Sequence, residues 1–392
     1  MRAKDRGQPE GRPTAQVQCK VAAAGTFFLI NKLVLENLKH RWVRTLLSAT
    51  AVGVQVTMIL TLVGISFGML EDMGRRSRGA GADILIRPPG SSIIGLSTAP
   101  MPEKILDFVR KLPYVSVATG TAVYPIGGTN TVTGIDLESF TQMSGGFRYL
   151  KGGPFENPDD VIVDEHWARQ SRLKAGSRVT FMNREWRVSG IVEPGKLARI
   201  FVPLKVVQEL SANTGKLTMI LVKLDSQESL DRAIVELKKE LPGYQIYSIE
   251  EFVSQISVNN VPGLKAFIYV IIGISIVVGF LVVFLSMYTA VLERTREIGI
   301  LKALGATPGL ILGILVRETI ILAFIGSVAG IGLTYGTRWA IMNYVPGSLT
   351  QIIVVSWWPV AAAVALTGSL LGALYPGWKA ARQDAIEALA YE

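Results

Sequence analysis

Four stretches of the chain are apolar around the whole helical circumference rather than along one stripe. Each is close to or above the roughly 20 residues that crossing a bilayer takes. They are 45–70, uncharged until Glu71; 266–292, uncharged between Lys265 and Glu293; 319–337, between Glu318 and Arg338; and 358–378, which ends beside Pro376. Taken from Pro308, the third span covers 308–338. Between the first two spans the pattern changes. Residues 82–87 read as a strand halted by Pro88 and Pro89, and 103–112 as a helix with Ile105, Leu106 and Val109 on one face. Residues 178–181 and 185–192 alternate apolar and polar positions about a turn at 182–184, a hairpin pattern. Residues 226–240 read as a helix with Ser226 as its cap and Leu230, Ile234 and Leu237 at helical spacing, ended by Pro242 and Gly243. The fold class expected is a membrane protein, α-helical with four transmembrane helices, plus a large α+β extracytoplasmic domain at 71–265 between spans 1 and 2, of one lobe or two. Residues 1–25 lack periodicity. Residues 27–44 interleave Phe28, Leu29, Leu33, Leu35 and Leu38 with Lys32, Glu36, Lys39 and Arg41, the pattern of an amphipathic helix on the inner membrane surface with Trp42 at the interface, the plain alternative being an extension of span 1.

Charge sets the orientation. Lys32, Lys39, Arg41 and Arg44 precede span 1, behind a tail with Arg2, Lys4, Arg6, Arg12 and Lys20. Arg294, Arg296 and Lys302 lie between spans 2 and 3, and Lys379 and Arg382 follow span 4. The 339–357 loop carries no charge before Trp358. By the positive-inside rule, 1–44, 293–307 and 379–392 face the cytoplasm and 71–265 lies outside, since long domains translocate whatever their charge. The expected location is the bacterial cytoplasmic (inner) membrane. The net charge of +9 is thus a topology signal, and no nucleic-acid partner is expected. At 49% hydrophobic and 18% charged residues, against about a quarter charged in soluble domains, the composition agrees. Cys19 is the only cysteine and the histidines are His40 and His166, which excludes an intrachain disulfide and disfavours a thiolate or imidazole metal site. A lipid anchor at Cys19 is disfavoured because 14–18 lack an apolar signal stretch.

Several motifs fail on chemistry. Gly190 to Leu197 nearly matches a phosphate-binding loop, but Leu197 stands where Ser or Thr must hold magnesium, and 198–203 reads as a strand where a helix is required. No ATPase and no cofactor are therefore expected in this chain. Asp159-Asp160 and Asp164-Glu165 read as solvated loops flanking the strand-like 161–163. Ser144-Gly145-Gly146 has no triad partner, His166 alone being insufficient. Arg317 and Glu318 read as interfacial anchors at the start of span 3. Small residues recur four apart at Gly64 and Gly68, Gly326 and Gly330, Gly332 and Gly336, and Gly368 and Gly372, a spacing that lets helix backbones approach within the monomer or at a dimer seam.

The most informative segment is 293–306. Ile298, Leu301 and Leu304 form one apolar ridge beside Glu293, Arg296, Glu297 and Lys302; Gly305 suits a C-cap and Pro308 opens the next helix. Such a helix on the inner surface is suited to filling a groove on a partner, the plain alternative being a solvated loop at the lipid surface.

The run Glu293-Arg294-Thr295-Arg296-Glu297-Ile298-Gly299-Ile300-Leu301-Lys302-Ala303-Leu304-Gly305-Ala306 closely resembles the signature after the second span in MacB/LolC/FtsX-type ABC transporter permeases. The end of the chain, Tyr375-Pro376-Gly377-Trp378-Lys379-Ala380-Ala381-Arg382 through Leu389, resembles that family's close, although Ala385 stands where a proline is more usual. The stretches 36–47, 161–176 and 200–204 are similar too. The resemblance implies a dimer of this chain with a second copy or close homologue, an ABC ATPase dimer below it holding ATP and magnesium, and an outer domain that moves cargo lying outside the membrane. It makes 293–307 a coupling helix, with Glu293, Arg294, Arg296, Glu297, Ile298, Gly299, Leu301, Lys302 and Gly305 at the ATPase. In that arrangement Arg294 and Glu297 make polar contacts, Ile298 and Leu301 enter the groove, and Gly299 permits close approach. Unlike MacB, no fused ATPase is read here, so a separate ATPase subunit is expected, with lipid around the spans and a periplasmic adaptor left open. The competing reading is an FtsX-like regulator whose outer domain activates a cell-wall hydrolase without moving cargo.

Overall fold

The computed structural model describes residues 36, 39, 42–91, 99–127, 130–258, 260, 263–345 and 349–383. Apart from Glu36, Lys39 and residues 42–44, the expected amphipathic helix lies outside these, as do the tail with Cys19 and the stretch 384–392. The chain divides into two compact units, one of 1–60, 271–334 and 355–392, the other of 61–270 and 335–354.

Long helices dominate the first unit. They are α1 (Trp42–Arg78), α2 (Leu264–Glu293), the short α3 (Thr295–Ala303), α4 (Pro308–Tyr344) and α5 (Trp358–Arg382). All but α3 are long and apolar enough to cross a membrane. The 37 residues of α1 and of α4 correspond to about 55 Å of helix, well beyond a hydrocarbon core of about 30 Å. Hence α1 runs eight residues past its expected end, through Glu71, Asp72, Arg75 and Arg76.

Glycines fix the helix crossings. A Cβ on Gly326 would stand 2.6 Å from the Val52 side chain, and one on Gly330 would stand 2.5 Å from the Gly53 carbonyl oxygen, so α1 and α4 meet backbone to backbone. Thr57 Oγ1 donates to the Gly330 carbonyl at 2.9 Å across this crossing. Gly368 and Gly372 bring α5 against the Ile276 and Phe280 carbonyls of α2 in the same way. Gly332 and Gly336 lie on the other side of α4, where an added Cβ would meet nothing within 4 Å. Gln55 is buried among these helices, its amide against Gly279, and neither amide atom has a hydrogen-bond partner among the described residues.

The second unit is built on one sheet. Its strands are β1 (Ile84–Arg87), β3 (Val115–Gly127), β4 (Asn130–Ile135), β5 (Tyr149–Gly152), β6 (Asp160–Asp164), β7 (Arg178–Phe181), β8 (Arg184–Val192), β9 (Ile200–Pro203), β11 (Met219–Leu224) and β12 (Gln245–Ser248). The order is β12-β1-β11-β3-β4-β9-β6-β8-β5, with β7 paired to β8. A small ladder joins β2 (Met101–Pro102) to β10 (Lys216–Leu217). The β4–β9 and β6–β8 pairs are parallel. Both faces are covered, so the central strands are apolar at successive positions. Val161 and Val163 enter one core and Ile162 the other; Ile200 and Val202 enter one and Phe201 the other. The expected hairpin is present as β7 and β8, and Met182 and Asn183, both at positive φ, make its two-residue turn. A 3₁₀ turn at Gln227–Ser229 precedes the expected helix, which is Leu230–Glu240, and Ser226 caps that turn.

Two expectations require correction here. Gly64 and Gly68 of α1 do not receive a helix. They receive the extended segment 350–352: a Cβ on Gly64 would stand 2.4 Å from the Ile352 carbonyl oxygen and one on Gly68 would stand 2.1 Å from that of Thr350. Asp160 and Asp164 are not in solvated loops but buried at the two ends of β6. Asp160 accepts from the Glu156 and Asn157 amides and from Arg187, which holds its carboxyl below the usual range although burial opposes this. Asp164 caps the helix Glu165–Gln170 by accepting from the Trp167 amide at 2.7 Å. Ser144-Gly145-Gly146 is the end of the helix Leu137–Ser144, with both glycines at positive φ. The Gly190–Leu197 stretch passes from β8 through a loop toward β9 and opens no helix.

Burial pushes the Asp164 carboxyl up to about 6, against the pull of Arg199 and Arg76 and with Asp72 nearby. A carboxyl raised in the folded state binds a proton there that the unfolded chain has already released. Its contribution to stability therefore grows as pH falls from about 7 toward 4, by a total of order 2–3 kcal/mol. His166 works oppositely in the upper part of that window, since burial lowers its pKa. The expected result is a wild-type-minus-Asp164→Asn difference in unfolding midpoint that becomes more positive toward acid. It is read on the full chain in detergent, and a pH-independent difference refutes it.

Candidate functional site

The inner turn between α2 and α4 carries the residues singled out above. Arg294, at φ −108° and ψ 13°, breaks the helix after Glu293. Thr295 Oγ1 turns back to the Val291 and Leu292 carbonyls at 3.1 and 3.0 Å. At the far end Gly305 adopts φ 93°, and the Ala306 and Gly305 amides donate to the Leu301 and Lys302 carbonyls, both at 2.9 Å. This closing turn needs a left-handed residue, which is why glycine stands there. Thr307 and Pro308 then start α4, with the Leu310 amide donating to Thr307 Oγ1.

The two faces of α3 differ in chemistry. On the inner face Ile298 packs with Val291, Ile311, Leu315 and Ala380, and Gly299 is buried. Arg294 is 6% exposed, and its Nη1 donates to Glu318 Oε2 at 3.1 Å. The other carboxylate oxygen of Glu318 accepts from Arg44 Nη2 at 3.0 Å, and Arg44 Nη1 lies 3.7 Å from Glu293. Glu318 itself is fully buried. One carboxylate thus joins the start of α1, the α2–α3 corner and the body of α4. Among groups withdrawn from water such a pair requires accurate geometry, since desolvation of each charge is costly.

The outer face is open. Arg296 and Glu297 are exposed, Ile300 is 46% exposed and Leu304 79%. Leu301 and Lys302 are half-buried, and the Lys302 ammonium donates to the Gln383 carbonyl. Beside them a largely apolar open cavity of about 320 Å³ is lined by Ile298, Ile300, Leu301, Ile311, Ile314 and Leu315 together with Arg294 and Glu297.

The expected ridge is therefore split. Arg294 and Ile298, expected at a partner, face into this chain, because a 3.6-residue period turns positions 294 and 298 to the same side as α4. Glu293, Arg296, Glu297, Leu301, Lys302 and Gly305 remain at or near the surface, joined by Ile300 and Leu304. Glu318, read from the pattern as an interfacial anchor with a local partner, is the buried centre of this cluster, and Arg44, read only as a topology charge, is one of its two arginines. A charged pair ten residues inside the helix that Pro308 opens was the available signal.

Two family models match the chain in succession: a MacB-like periplasmic core domain over residues 45–240 and an FtsX-like permease C-terminal domain over 269–385. The chain belongs to the MacB- and FtsX-like ABC transporter permease family. Within this permease family, the uncharacterized ABC transporter permease YknZ of Bacillus subtilis (strain 168) is 34% identical over 206 residues, covering 50% of each chain. The macrolide export ATP-binding/permease protein MacB of Escherichia coli is 23% identical over 397 residues, covering 92% of this chain and 60% of that one. The chain thus spans between half and three-fifths of the length of these relatives. Among solved structures, the periplasmic region of MacB from Actinobacillus actinomycetemcomitans is similar at a TM-score of 0.36 and 16% identity, covering 46% of this chain and 94% of that one. The FtsX-like match contains α3 and Glu318, and the MacB-like match contains α1 from residue 45 onward and most of the sheet. The protein is a multi-pass membrane permease of this family with a mixed α+β domain between spans 1 and 2.

Proposed function

We propose that this permease transmits the ATP cycle of an ABC-type ATPase dimer, docked on α3 in the cytoplasm, to movements of an extracytoplasmic sheet domain that expel or extract a hydrophobic or amphipathic cargo. Both termini face the cytoplasm in this reading, a second copy or close homologue completes the complex, and ATP and magnesium are held by the ATPase. The observation that carries it is the asymmetry of α3. Its inner face is fixed by Ile298 and by the Arg294–Glu318 pair, while its outer face presents Leu304 and Ile300 flanked by Arg296 and Glu297. A rigidly backed helix with exposed apolar anchors and a charged rim is what a groove on a partner can load without the load being lost in a flexible loop.

The test is affinity purification of tagged full chain from its native membranes. Leu304→Asp combined with Arg296→Glu is expected to lower the co-purifying ABC-type ATPase at least tenfold while the permease stays inserted. Ile298→Asp instead is expected to lower the yield of folded permease. Normal ATPase capture by the Leu304/Arg296 variant would remove α3 as the docking element. Recovery of a cell-wall hydrolase on the outer domain, in place of lipid or another amphipath, would turn the reading toward a regulator.

A further inference from the structure

The outer end of α1 holds a buried ionic cluster that the reading above does not use. Arg199 precedes β9 and is 5% exposed. Its backbone carbonyl accepts from the Asp164 amide at 2.8 Å, which seats it against the end of β6. Its guanidinium then reaches three ways. Nη2 donates to Asp72 Oδ2 in α1 at 2.7 Å and to Thr350 Oγ1 at 3.2 Å, and Nη1 lies 3.9 Å from Asp164 Oδ2. Asp72 is itself held by Arg76 at 3.0 Å and Arg75 at 2.7 Å, so its carboxylate is saturated. The segment around Thr350 is stitched to the same helix: the Ile352 amide donates to the Gly64 carbonyl at 3.1 Å, Gln351 is 1% exposed, and Gly64 and Gly68 leave the room it occupies. Further along the chain, a Cβ on Gly79 would stand 1.8 Å from the Gly195 carbonyl oxygen, so the loop after β8 also sits on the helix end.

Three segments far apart in sequence therefore converge on one planar guanidinium. Apolar packing could hold them together as strongly, but it would tolerate sliding. A forked cation with fixed donor directions does not, and only arginine supplies that geometry. We propose that Arg199 is a positioning residue, the pin of a three-way junction that makes the sheet domain, the outer turns of α1 and the 349–352 segment move as one body during the cycle. This rests on the coupling function proposed above and names the route by which motion enters the domain: through span 1 and the lead-in to span 4.

The experiment uses full chain reconstituted with its ATPase, with Cys19→Ser and nitroxides at Lys238→Cys in the sheet domain and Thr307→Cys beside α3. The distance distribution is measured by pulsed electron spin resonance with and without ATP. In the parent protein an ATP-dependent shift is expected; its absence refutes the proposed coupling before the junction is touched. Given that shift, Arg199→Gln is expected to reduce it at least fivefold, and Thr350→Val, which keeps the Asp72 pair and removes one arm, two- to threefold. A stabilising role alone would lower the unfolding midpoint and leave the shift intact at temperatures where both variants are folded, and that result overturns the proposal. Should Arg199→Gln fail to fold, Thr350→Val decides: an undiminished shift there also overturns it.

Discussion

Glu318→Gln is expected to destabilise the helical unit by about 3–5 kcal/mol, the cost of removing one partner from a buried ionic cluster and leaving the other charges behind. Glu318 is fully buried and receives Arg294 on one oxygen and Arg44 on the other, at 3.1 and 3.0 Å. Glutamine keeps the shape and an acceptor but takes the buried counter-charge from Arg294 and leaves Arg44 only its longer contact with Glu293. The measurement is thermal or detergent-titration unfolding of the full chain. A second arm separates charge from contact. Replacing the whole set by apolar residues, with Glu318→Leu, Arg294→Met and Arg44→Met together, is expected to recover most of the loss, as buried ion clusters can be exchanged for well-packed side chains. Unchanged melting of Glu318→Gln would mean that the carboxylate is not the joint between α1, α3 and α4.

The second large effect is expected at the α1–α4 crossing. Gly330→Leu forces a side chain toward the Gly53 carbonyl and Val56, 2.5 and 2.8 Å from where its Cβ must stand, and disturbs the Thr57 hydrogen bond to the same turn. Overpacking of this kind costs at least about 1–3 kcal/mol, and more where the obstacle is backbone, as here. Gly332→Leu, two residues on, projects into open space and is expected to change stability by less than about 0.5 kcal/mol. The same unfolding measurement on the pair checks both statements. A greater loss at Gly332 than at Gly330 would reverse the assignment of the packed face.

These two cases also mark where the sequence was legible. The spans could be read because apolar residues around a full circumference leave few alternatives, and the hairpin at 178–192 because alternation and a two-residue turn are local. The glycine spacing announced close approach but not its object: Gly326 and Gly330 receive a helix, Gly64 and Gly68 an extended segment, and Gly332 and Gly336 no other part of the described chain. Local pattern cannot distinguish these, because the object of contact comes from elsewhere in the chain. Glu318, Asp164 and Arg199 were obscured for the same reason. A charged residue reads as solvent-facing until its counter-charge is brought to it, and Arg294 and Arg199 meet theirs only through the tertiary fold. At α3 the ridge was read from spacing, but which side of it faced inward depended on where α4 lies.

The continuity of the outer sheet has a mechanical consequence. The path from β12 to β5 passes through β4, β9 and β6 without a break in pairing, and residues from both faces of these strands are packed. In the cycle proposed above, opening a cleft across such a domain would have to part the β4–β9 or β6–β9 ladder, so the proposed motion is one of the domain as a whole. In that reading it tilts, swings or presses like a paddle.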